Sequence, residues 1–144
     1  LFQKKVVTIS ANAPLCNAIK SLGKYNYSQL PIIKEGMIIG LLTSNMIIRW
    51  LSTRLDDREV KLDDREVKLD EMYVQDLLPF SGTKDNYKIV PATTTLFEAQ
   101  EHFFRYQEKS HKLESVLITE NGKPDEKLLG IITNLDLPLL QKEL

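Results

Sequence analysis

One apolar signature occurs twice in this chain, and it limits the available folds more than any other feature. Ile38-Ile39-Gly40-Leu41-Leu42-Thr43-Ser44-Asn45-Met46 matches Leu128-Leu129-Gly130-Ile131-Ile132-Thr133-Asn134-Leu135-Asp136, with Gly40 opposite Gly130 and Thr43 opposite Thr133. Each copy ends a half whose pattern reads strand, helix, strand, strand, helix. Neither half is long enough to bury a small sheet alone, so the economical solution packs the two together. The expected class is α/β, with two repeats of small mixed sheets and flanking helices.

The first unit is expected over 1–52. Its opening run KKVVTIS is β-rich, and Pro14 suits the start of a helix in which Leu15, Ala18, Ile19 and Leu22 recur at helical spacing. Gly23 or Asn26 ends that helix, Glu35-Gly36 turns LPII into MIIGLLT, and a helix follows from Asn45. The second unit is expected over 73–144, with a strand at YKIVP and a helix in which Leu96, Ala99, Phe103 and Tyr106 share a face. Two further strands flank a longer loop punctuated by Asn121-Gly122 and Lys123-Pro124. Between the units, a connector over 53–72 carries LDDREVK at 55–61 and again at 62–68. Its apolar spacing suits an amphipathic helix. Two heptads are too few for a coiled coil alone, so the preferred reading is a solvated link rather than an arm joining subunits. VQDLLPF then forms a short helical turn.

Charge excludes several functions. Nineteen Lys and Arg face 20 Asp and Glu, for a formal net charge of -1, so no broad basic field exists for a phosphate backbone, and direct nucleic-acid binding is not expected. Apolar stretches break well short of the roughly 18 residues of a membrane span. Cys16 is the only cysteine, which precludes an internal disulfide and fits a reducing, cytoplasmic location. With only His102 and His111 beside it, a zinc set is not expected, and no metal site is assigned.

No catalytic residue is assigned either. The chain lacks GxSxG, HExxH and GxxxxGK[ST] motifs, and no arrangement of its histidines with a serine or cysteine reads as a hydrolytic pair. The informative pattern is Thr133-Asn134-Leu135-Asp136, where a strand meets a helix. Thr133 and the free N–H groups of the first turn can hold an oxygen anion, and Asp136 can accept bonds from ribose hydroxyls. The same spacing also serves a simple helix cap. On these residues alone the two readings weigh equally.

In context, the chain resembles the tandem cystathionine-beta-synthase (CBS) domain pair, or Bateman module. The resemblance covers nearly all of 4–52 and 73–141 and rests on the repeat, the Leu30-Pro31-Ile32-Ile33 strand and the Gly-x-x-Thr signature. It is looser in the second unit, where Ser115-Val116-Leu117-Ile118 replaces the Leu-Pro strand. It implies a disc with two clefts related by pseudo-two-fold symmetry, no required cofactor, and ligands such as AMP, ATP, S-adenosylmethionine or cyclic di-AMP. In one cleft Asp136 would hold the ribose and Thr133 the phosphate or sugar edge. Val7, Tyr27 and Ser28 would flank the adenine, with Tyr27 either stacking on it or serving as an ordinary half-exposed core residue. The other cleft keeps Thr43 and Thr83, with Lys88 as phosphate partner, but has Met46 where its counterpart has Asp136, so unequal occupancy is expected. The resemblance further implies a homodimer through Ile47, Ile48, Trp50 and Leu51 together with Leu137, Leu139 and Leu140, and a regulated protein partner. A structural interaction domain with empty clefts is the alternative.

Overall fold

A computed structural model describes residues 6–55, 72–81, 86–108 and 113–133. The duplicated LDDREVK connector, His111, Thr83, Asp136 and the closing helix with its leucines lie outside the described residues. The chain forms two compact units, one of residues 8–34 and 39–82, the other of 83–144 with 1–7 and 35–38. The expected α/β class is what is found, with a three-stranded sheet in each half.

In the first half, β1 (Ile9–Ser10) pairs in parallel with β2 (Gln29–Lys34), Ile9 opposite Ile32 and Ser10 opposite Ile33. Helix α1 (Leu15–Tyr25) makes the crossover and buries Leu15, Ala18 and Leu22, the face its spacing predicts. Of the two proposed stops, Asn26 ends the helix: it takes the left-handed conformation (φ 55°) and gives its N–H to the Leu22 carbonyl. Asparagine tolerates that region better than most residues. Gly23 stays helical. The turn from β2 to β3 (Met37–Thr43) has positive φ at Glu35 (51°) and Gly36 (77°), the geometry of a two-residue hairpin turn. Helix α2 (Ser44–Leu55) follows at once, capped by Thr43, whose Oγ1 accepts the Met46 N–H at 3.2 Å. Met46, Ile47 and Trp50 are buried, while Ile48 on the same helix is 60% exposed.

Met72, expected in the connector, and the segment from Tyr73 to Ser81, expected in the second unit, group with residues 8–34 and 39–55. Its backbone pairs with the turn before α1: Leu15 donates to the Met72 carbonyl (2.7 Å), Val74 to Ala13 (3.0 Å) and Gln75 to Ala11 (3.1 Å). A 3-10 helix over Val74–Ser81 then buries Val74 and Leu77. Leu78 lies over Gly40, where an added Cβ would sit 2.7 Å from its Cδ2. The contact is with the end of a flexible side chain, which can turn away.

In the second half, β4 (Tyr87–Pro91) runs parallel to β5 (Ser115–Thr119), and β5 runs antiparallel to β6 (Gly130–Thr133). Helix α3 (Leu96–Glu108) packs Ala99 and Phe103 on Val90, Val116 and Ile132, closed by Leu113. Thr95 caps it by accepting the Glu98 N–H at 3.1 Å.

The loop between β5 and β6 is gathered on one carboxylate. Glu126 Oε1 accepts from the Thr119 hydroxyl (3.1 Å) and the amides of Asn121 (2.9 Å) and Lys123 (3.0 Å), and Oε2 accepts from the Asn121 side chain (2.7 Å). Desolvation pushes the Glu126 carboxyl upward, but the bonds from Asn121, Lys123 and Thr119 together outweigh it and leave the pKa below the ordinary 4.5. A depressed folded-state value means this stabilisation is complete above 4.5 and is lost as pH falls through the lower value. In an NMR titration the Asn121 and Lys123 amide shifts should move together with a midpoint below 4.5. A midpoint at or above it would show that the carboxylate does not hold the loop.

Candidate functional site

Of the residues singled out for ligand binding, Thr43 and Thr133 end strands β3 and β6, Ser28 and Tyr27 lie between α1 and β2, Val7 precedes β1 and Lys88 lies within β4. In the first unit, Ser28 precedes β2 and Thr43 ends β3; the Ser28 carbonyl accepts both the Ser44 N–H (2.9 Å) and the Ser44 hydroxyl (3.3 Å). The junction is thereby pinned to the strand beside it. Ser28 and Thr43 are brought close together, although the resemblance assigns them to different clefts. Thr43 is buried and its oxygen is committed to capping α2. Met46, one turn on, is 1% exposed. This junction offers a neutral, apolar helix start. Its polar donors serve the fold.

Tyr27 is 37% exposed and stacks on Tyr25, ring centroids 5.7 Å apart and planes 21° from parallel. Lys24 Nζ lies 5.3 Å from the Tyr25 ring centre. An aromatic surface with an adjacent cation is suited to a flat base, and equally forms a small solvent-facing cluster. Val7 is half-buried ahead of β1.

In the second unit, Thr133 is half-buried at the end of β6, directly opposite Ser115 in the register. Ser115 is fully buried, and the neighbouring Glu114 N–H donates to the Asn86 carbonyl at 2.7 Å. The first turn after Thr133, including Asp136, lies outside the described residues, as does Thr83. Lys88 is half-buried on β4 and within electrostatic reach of His102 on α3. Burial first, then the charges of Lys88 and Arg105, hold the His102 imidazole below its ordinary 6.5, against the opposing pull of Glu98 and Glu101. Lys88 thus lies beside a histidine that is biased toward its neutral form.

Sequence reasoning started the helix of the second half at Thr95, the residue that caps α3, but missed two features. The Glu126 knot had no local signal beyond the turn residues around it. A cavity of about 320 Å³ in the second unit, bounded by Val90, Leu96, Ala99, Ile118, Gly130 and Ile132, had none at all. Among the described residues, no group of three or more His, Cys, Asp or Glu side chains is placed to hold a metal, and no helix is long and apolar enough to cross a membrane.

Comparison with known proteins agrees with this architecture. Residues 1–53 match the CBS domain family. A CBS domain-containing protein from Kribbella flavida superposes with a TM-score of 0.72 at 20% identity, over 98% of this chain and 95% of that one. The CBS domain pair of protein MJ0100, solved in complex with 5'-methylthioadenosine and S-adenosyl-L-methionine, gives 0.66 at 17% identity, over 99% and 92%. Staphylococcus aureus OpuCA gives 0.63 at 12% identity, over 99% and 97%. No curated protein sequence matches the chain. The first third of the chain thus carries the CBS domain signature, and the chain as a whole shares the fold of CBS-domain pair structures.

Proposed function

We propose that this chain is a non-catalytic regulatory module that senses an adenosine-containing nucleotide. The grip is centred on Thr133 and Asp136, with Val7, Tyr27 and Ser28 as candidates for the base, and Thr43, Thr83 and Lys88 as a weaker second set. The observation that carries the reading is Thr133 at the end of β6, with an acid three residues on, in a chain sharing its fold with a pair solved bearing two adenosine compounds. A carboxylate that accepts both ribose hydroxyls makes charge-assisted bonds of about 1.5–3 kcal/mol each. Asp136→Ala should therefore weaken the tightest of AMP, ATP, S-adenosylmethionine and cyclic di-AMP by at least about tenfold in isothermal titration. Unchanged affinity would reject the assigned grip. A signal arises only if the ligand favours one arrangement of this chain or its partner over another.

A second reading, an interaction domain without nucleotide, draws on the first unit, where Thr43 is spent on a cap and Met46 is buried. Exposed Ile48 suits a homodimer contact under either reading. Absence of any thermal shift with all four compounds, together with a dimer by light scattering, would favour the interaction domain.

A further inference from the structure

Asn121-Gly122 is the only asparagine–glycine step in the chain. Such a step is the one most open to loss of a side-chain amide, because glycine has no side chain to stop its own nitrogen from closing on the asparagine Cγ. Asn121 is exposed, so water reaches it. Yet both of its nitrogens are tied to one carboxylate: its N–H donates to Glu126 Oε1 at 2.9 Å and its side-chain amide to Oε2 at 2.7 Å. The Lys123 N–H, just beyond the glycine, donates to the same Oε1 at 3.0 Å. On the other side Asn121 bridges to Pro91 of β4, and a Cβ at Gly122 would meet the Pro91 ring and nitrogen at 3.0 Å. The step is therefore clamped from two directions. Ring closure requires the Asn121 side chain to turn, which breaks its bond to Oε2, and an ionised carboxylate has no proton to give the departing nitrogen.

We propose that Asn121 is a deamidation site held silent by Glu126, and that its modification opens the loop irreversibly. In the reaction the Gly122 nitrogen, its proton lost to solvent, bonds to Cγ of Asn121. The Cγ–Nδ2 bond breaks, and the nitrogen leaves as ammonia with a proton taken from water. A second water then opens the succinimide ring at either carbonyl, leaving aspartate or isoaspartate, with nothing oxidised or reduced. The product sets an anionic oxygen where Nδ2 had donated across 2.7 Å to Glu126 Oε2. Two carboxylates across so short a gap must part or share a proton. As they part, the Thr119 hydroxyl and the amides of residues 121 and 123 lose their common acceptor. The effect travels further. Pro124, inside this loop, accepts the Ile38 N–H at 2.9 Å, and residues 35–38 belong to the same compact unit as the loop, so the turn between β2 and β3 is released with it.

The test is ageing of the full chain in mildly alkaline buffer, followed by mass-spectrometric peptide mapping, beside the synthetic peptide Thr-Glu-Asn-Gly-Lys-Pro. Asn121 should convert at least about tenfold more slowly in the chain than in the peptide, as expected when a charge-assisted hydrogen bond must break first. Glu126→Gln keeps an oxygen for the donors at Oε1 and removes the acceptor at Oε2, so it should bring the rate close to that of the peptide. Thr119→Val, which spares both Asn121 bonds, should leave the rate near the parent's. In NMR spectra the Ile38 amide signal should move on ageing, and should move likewise in Asn121→Asp. Equal rates in chain and peptide, or a Glu126→Gln chain that converts no faster than the parent, would overturn the proposal. So would an Ile38 signal that stays in place in both the aged chain and Asn121→Asp.

Discussion

Met46→Asp, which restores to the first half the acid carried by the second, should destabilise the protein by about 4 kcal/mol or more. Met46 is 1% exposed, and Leu42 on the preceding strand and Ile47 and Trp50 on the same helix are buried as well. A carboxylate there loses its hydration, which raises its pKa by about 3–5 units, each worth about 1.4 kcal/mol. The sign gives a second handle. A folded-state pKa above the unfolded one makes the penalty grow as pH rises between them, so the variant should regain stability toward the parent as pH falls from about 7 toward 4. Urea denaturation at several pH values measures both. A loss under 1 kcal/mol that does not vary with pH would show that water reaches this position, and would reopen the first unit to a ribose-binding acid.

The second large effect is expected in the loop after β5. Gly122→Val should cost about 2–4 kcal/mol, because two penalties coincide. Gly122 has φ of 77°, where a β-branched side chain is strained. A Cβ there would also lie 3.0 Å from both Cδ and N of Pro91 and 3.3 Å from the Val90 carbonyl carbon. These are ring and backbone atoms of β4, which cannot swing aside as the tip of Leu78 can beside Gly40. Gly36→Val provides the control, since Gly36 has the same φ of 77° with nothing within 4 Å of an added Cβ. The difference between the two variants in thermal denaturation isolates the clash. Equal losses would mean that the loop moves away from β4 freely.

Much of the fold was legible because it is written in local chemistry. Leu15, Ala18 and Leu22 mark one face of α1, Glu35-Gly36 sets the hairpin, and Gly-x-x-Thr signals a strand running into a helix. What was hidden depends on atoms distant in sequence. Nothing in Val74-Gln75-Asp76-Leu77-Leu78 reveals that its backbone pairs with Ala11 and Ala13, or that Leu78 lies over Gly40. Glu126 reads as one more surface acid until the chain folds four donors around it. At the candidate site, Thr43 and Thr133 hold equivalent places in the repeat, yet the buried Met46 shows the difference between the halves more clearly than either threonine. A helix cap and an anion grip draw on the same hydroxyl and the same free amides, so sequence alone cannot separate them.

The way each sheet ends has a consequence for self-association. An outer strand with its amides and carbonyls in line invites a foreign strand to add, the first step toward aggregation. Here β1 has only two residues, too short to template a ladder, and β4 finishes on Pro91, which has no N–H to offer, and carries the cationic Lys88. The parallel outer strand of each half is thereby blunted, by brevity in one and by proline and charge in the other, so neither offers a long ladder to a foreign strand.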